Sequence, residues 1–73
     1  MPCIDMAGTG ANIKRICRDR GFRCKDIADT VGVTPVAVSK WMAGKNMPTI
    51  DNFVIIADMF RVAIDDIIVV TRT

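Results

Sequence analysis

Apolar residues along this chain recur at helical rather than alternating spacing. Between Ala11 and Arg20 they stand at Ile13, Ile16 and Cys17, the i, i+3, i+4 stripe of an amphipathic helix. Gly21 ends that stretch, because glycine enters the left-handed C-terminal conformation without steric cost. A second stripe, Cys24, Ile27, Ala28 and Val31, predicts a helix closed by Gly32. Thr34 then supplies an N-cap hydroxyl, and Pro35 fills the first helical position, where a missing N–H is harmless. Val38, Trp41 and Met42 face inward on this third helix, which runs to Gly44. Lys45 to Thr49 read as a loop containing Pro48. Asp51 opens a fourth helix carrying Phe53, Ile56, Ala57 and Phe60, and Ile64 to Ile68 predict a short fifth.

Ahead of the first helix, Gly8-Thr9-Gly10 reads as a breaker cluster, so residues 1–9 are expected to be irregular. Ile4 and Met6 alternate with Asp5 and suit a short extended piece. Val69-Val70-Thr71 suits another at the opposite end. The two segments, "CIDM" and "IIVV", are expected to pair either within one chain or edge to edge between two chains. The expected class is therefore all-α, with five short helices and short extended N- and C-terminal segments.

With 73 residues there is room for one domain, 1–73. Hydrophobic residues make up 51% of the chain, more than so small a domain hides easily, so part of that surface is expected at an interface. No apolar run approaches the ~18–20 residues that cross a membrane, and no charged-then-apolar start suggests a signal peptide. Cys3, Cys17 and Cys24 are odd in number, form no C-x-x-C pair and have no histidine to join them. Neither a metal site nor a cofactor is expected, and the thiols suit a cytoplasmic protein. The chain also lacks glutamate, and no nucleophile, base and orienting acid come together in the pattern. No catalytic residue, small-molecule ligand or enzymatic activity is expected.

Charge adds a direction. Residues 10–48 carry eight basic side chains against three aspartates, a net +5, while residues 49–73 carry −2. That puts positive potential on the N-terminal half, which holds the second and third helices, as a phosphate-binding surface requires. Those helices also share a steric logic over residues 24–43. Ala28 is small at mid-helix, Gly32 stands at the turn, and Val38 and Trp41 point inward from the next helix. A helix-turn-helix needs a small side chain where its helices cross, a tight turn, and two apolar anchors holding the second helix.

At this point the sequence resembles the phage-repressor/Cro (Xre-like) helix-turn-helix regulators. The stretches "NIKRICRDRGF", "DIADTVGVTPVAVSKWMAGKNMPTIDNF" and "VIIADMFRVAIDDII" carry the likeness over residues 12–69. The resemblance implies a lambda-repressor-like DNA-binding domain that lays a recognition helix, 35–43, in the major groove of double-stranded DNA. It implies base contacts from Thr34, Pro35 and Val36, with Lys40 one turn on. It implies backbone contacts from Arg23 and Cys24 at the start of the supporting helix, from Ser39, and from Lys45 and Asn46 after the recognition helix.

The pattern is broken at three points. Cys24 stands where glutamine is common, and a thiol clamps phosphate poorly, which leaves Arg23 to do so. Pro35 and Val36 replace polar base readers and offer only apolar contact, chiefly to thymine methyls, so Lys40 becomes the guanine-reading candidate. Cys17 and Met42 replace an arginine and a glutamate that pair in many relatives, and are expected to touch in the core. Val54, Ile55, Met59, Val69 and Val70 add apolar surface that points to a homodimer, in keeping with a domain that reads one half-site. The competing reading is a protein-binding module, such as an antitoxin-like partner, that keeps the fold and uses those surfaces on another protein.

Overall fold

The computed structural model describes residues 1–72; Thr73, the last position of the expected 1–73 domain, lies outside the described residues. Four α-helices and a two-stranded antiparallel sheet make up the chain: β1 Pro2–Ile4, α1 Met6–Asp19, α2 Cys24–Val31, α3 Pro35–Met42, α4 Ile50–Phe60 and β2 Val70–Arg72. The expected fifth helix over Ile64–Ile68 is one 3-10 turn, Ile64–Asp66. The Ile64 oxygen accepts from the Ile67 and Ile68 N–H groups at 2.9 and 3.0 Å, and Asn12 of α1 then donates its Nδ2–H to the Ile67 oxygen at 3.0 Å. The chain then straightens, because the Val69 N–H donates to Thr9 Oγ1 at 2.9 Å and the Asp5 N–H to the Val69 oxygen at 2.8 Å.

Those bonds also explain the largest departure from the sequence expectation. Helix α1 begins at Met6, five residues before Ala11, and the Gly8-Thr9-Gly10 cluster lies inside it. Asp5 caps the helix by accepting from the Gly8 N–H at 2.9 Å. Thr9 is fully buried where its hydroxyl receives Val69, and Gly10 is buried where α1 crosses the end of α3. Tertiary contacts thus outweigh the ~1 kcal/mol that each glycine costs in a helix.

The extended ends pair within the chain, in the register Pro2↔Arg72, Cys3↔Thr71 and Ile4↔Val70. Between them the core is continuous. Ile13, Ile16 and Cys17 from α1 meet Ile27 and Ala28 of α2, Val38 and Trp41 of α3, the four inward residues of α4, and Ile67. Phe22 stacks on Phe60 with centroids 6.0 Å apart. Helix α4 starts at Ile50, one residue before the expected Asp51. Thr49 is its cap, accepting from the Asn52 N–H at 3.2 Å, and Asp51 falls in the first turn, where the helix dipole favours it.

Candidate nucleic-acid interface

Helices α2 and α3 are eight residues each and meet through a three-residue turn. Gly32 turns the chain with φ 87°, a conformation that an L side chain resists, and its N–H closes α2 on the Ala28 oxygen at 2.8 Å. Thr34 caps α3, its Oγ1 accepting from the Ala37 N–H at 3.2 Å. Ala28, Val38 and Trp41 are buried, as the crossing requires. The recognition segment expected over 35–43 is helical to Met42, with Ala43 as its C-cap.

With Val38 and Trp41 turned inward, the opposite face of α3 is left to solvent. Thr34, Pro35, Val36, Ser39 and Lys40 are all exposed, and Val36, Ser39, Lys40 and Ala43 follow the i, i+3, i+4, i+7 spacing of a single face. Val36 is 64% exposed, so this apolar side chain contributes nothing to the core. After α3 the chain folds back over its own end. The Lys45 N–H donates to the Lys40 oxygen at 3.0 Å, which leaves the Lys45 and Asn46 side chains outside.

Arg23 is the N-cap residue of α2, and its N–H donates to Asp26 Oδ2 at 2.8 Å. Its guanidinium stays exposed. The first N–H groups of α2, at Cys24 and Lys25, have no acceptor within the helix and point outward from its positive end. Cys24 itself is only half-exposed. Its thiol donates to the Met42 thioether, Sγ to Sδ 3.7 Å, which turns the side chain toward the end of α3. The Cys17 thiol donates to the Phe22 oxygen at 3.2 Å, and it lines one shallow depression with Met42, its expected neighbour.

Two residues of this surface, Lys14 and Arg18, escaped the sequence reading. Lys14, on α1, lines one shallow depression with Cys24, Ser39, Met42 and Ala43. The neighbouring depression joins Lys14 to Arg18, Arg23 and Cys24. A continuous strip therefore runs from the start of α2 across α1 to the exposed face of α3. Lys14 and Arg18 lay in the basic segment, but helical spacing alone does not say which side of α1 adjoins α3. Among the described residues, Lys14, Arg18, Arg23, Lys25, Lys40 and Lys45 pair with no carboxylate, whereas Arg15 holds Asp19 at 3.7 Å. Among those same residues, no group of His, Cys, Asp or Glu side chains is arranged to hold a metal ion, and no helix is long and apolar enough to cross a membrane.

The helix-turn-helix family model matches residues 13–67. No curated protein sequence matches the chain. Among solved structures, the restriction-modification controller protein C.AhdI from Aeromonas hydrophila superposes with a TM-score of 0.79 at 14% identity, over 86% of this chain and 96% of that one. A transcriptional regulator from Listeria innocua gives 0.79 at 24% identity, over 89% of this chain and 62% of that one. The clp gene regulator ClgR from C. glutamicum gives 0.76 at 16% identity, over 85% and 80%. At these identities the likeness is one of fold.

Proposed function

This chain belongs to the helix-turn-helix family, and from that premise we propose that it is a sequence-specific, double-stranded-DNA-binding transcriptional regulator with α3 as its recognition helix. The observation that carries the reading is the strip of unpaired cations beside the exposed face of α3. Unpaired lysines and arginines next to a helix N-terminus suit phosphates. In this reading Arg23, the Cys24 N–H, Ser39, Lys45 and Asn46 hold the DNA backbone, joined by Lys14. Thr34, Pro35 and Val36 approach base edges, the last two through thymine methyls, and Lys40 reaches guanine O6 and N7. A DNA partner puts the site of action in the cytoplasm.

The test is binding to bulk DNA across a salt series. The logarithm of the binding constant should fall with log salt at a slope of about −0.9 per phosphate neutralised. Binding indifferent to salt, or absent at low salt, would overturn the proposal.

A second reading has its own observation. Ile50, Val54 and Ile55 of α4 are 71%, 50% and 37% exposed, which is costly for a monomer in water. They support a homodimer, which would place two recognition helices on two half-sites. They also suit a different protein partner, the alternative in which the fold serves as a protein-binding module. Sedimentation at high micromolar concentration separates the two: a dimer supports self-association, and a monomer with or without DNA removes it.

A further inference from the structure

The departures from the family pattern at Cys17, Cys24 and Met42 all introduce sulfur, and the fold gathers the three side chains. Cys17 stands near the end of α1, Cys24 opens α2 and Met42 closes α3. Cys24 Sγ lies 3.7 Å from Met42 Sδ. Cys17 lines the same shallow depression as both, with its Sγ 3.2 Å from the Phe22 oxygen.

Three sulfurs from three helices form a donor set of definite character. Thiolate and thioether are soft ligands, and a thioether is a poor ligand for hard or borderline cations. Zinc prefers four donors drawn from thiolate, imidazole and carboxylate. No group of three His, Cys, Asp or Glu side chains stands ready for a metal among the described residues, so a zinc shell is not available here. Copper(I) is satisfied by sulfur and accepts the thioether. The rim suits it as well. One copper(I) held by two thiolates leaves a charge of −1, and Lys14, Arg18 and Arg23 line the depression around it.

We propose that Cys17, Cys24 and Met42 form a binding site for a soft monovalent cation of the copper(I) class, held by two thiolates and one thioether. The ion enters as copper(I), two S–H protons leave to solvent, and no electron changes hands. Cys17 gives up the Phe22 carbonyl and Cys24 turns its sulfur from donor to ligand. The bound ion joins α1, α2 and α3 at one point.

The experiment uses the full chain with its thiols reduced, under anaerobic conditions, titrated with copper(I) against a colorimetric copper(I) chelator. One ion per chain should be withdrawn from the chelator, with two protons released per ion and a rise in melting temperature. Cys3→Ser, at the exposed β1 strand, should bind as the parent does. Met42→Leu keeps volume and fold and should weaken binding about tenfold or more; Cys24→Ser should abolish the single site. Unchanged binding in Met42→Leu, loss of the site in Cys3→Ser, or equal affinity for zinc(II) would each overturn the assignment. Met42→Leu carries the test by itself if Cys24→Ser fails to fold.

Discussion

Replacing Gly10 by alanine sets two opposed terms against each other. Gly10 lies in the interior of α1, where alanine is intrinsically better by about 1 kcal/mol. The added methyl, however, would fall inside contact distance of the Trp41 oxygen, 2.8 Å from the Met42 oxygen and 3.0 Å from the Gly44 nitrogen. Ordinary carbon contacts need about 3.5 Å or more. All three obstacles are backbone atoms at the end of α3, so no rotamer change relieves them and the helices must separate. Overpacking costs about 1–3 kcal/mol, occasionally more, and three simultaneous backbone contacts put Gly10 at the upper end.

After the propensity gain, Gly10→Ala should therefore lose about 2 kcal/mol, a large share of the ~3–5 kcal/mol that so small a core supplies. At roughly 4–8 °C per kcal/mol for a domain of this size, the melting temperature should drop by about 8–16 °C. Thermal unfolding followed by far-UV circular dichroism measures it. Gly8→Ala is the control. Its methyl meets Asp5 Oδ2 at 2.8 Å, the end of a side chain that can rotate away, so loss of the cap and gain of propensity nearly cancel. If Gly10→Ala melts at or above the parent temperature, the close approach of α1 to α3 does not explain the glycine, and the argument for how α3 is held fails with it.

Other substitutions probe separate links. Lys40→Ala should cost about 1–3 kcal/mol at one base position of the preferred site, measured by binding to single-base variants; a uniform loss over all sequences would assign Lys40 to phosphate instead. Thr9→Val keeps shape but leaves the Val69 N–H without its acceptor, and should destabilise by about 1–3 kcal/mol in urea unfolding; no change would mean that water replaces the hydroxyl. The raised pKa of Cys17 makes a pH prediction. Its protonated form is favoured in the folded state, so the contribution is fully present below the ordinary thiol value of 9.0 and is lost as the pH climbs through the folded-state value. Cys17→Ala should flatten that alkaline loss in parallel melts, and an unchanged slope would place it in other groups.

Much of the helix-turn-helix was legible because its determinants are local. Gly32 at φ 87°, the Thr34 cap, Pro35 at the first position and the Val38–Trp41 anchors each act over three or four residues, and all appear as the spacing predicts. The exposed face of α3 follows from the same stripe, since whatever is not turned inward is offered outward. Arg61 shows the limit of such signals. It ends α4 in the left-handed region at φ 58° without being glycine, so nothing in the residue type marks the helix end.

What the sequence by itself determined was the placement of α2, α3 and α4 and the identity of the surface residues on α3. Only the tertiary structure decided that Gly8-Thr9-Gly10 is helical, that Ile64–Asp66 stops at one turn, and that the two ends pair within the chain. All three depend on contacts between residues some 30 to 60 positions apart: Gly10 against Trp41, Asn12 to Ile67, Thr9 to Val69. Local propensity is worth about 1 kcal/mol per glycine, and a buried close approach or a satisfied buried N–H outweighs it. The placing of Lys14 beside Ser39, and of Cys17 with Cys24 and Met42, has the same origin, because a helical stripe gives the face of each helix but not the face it meets.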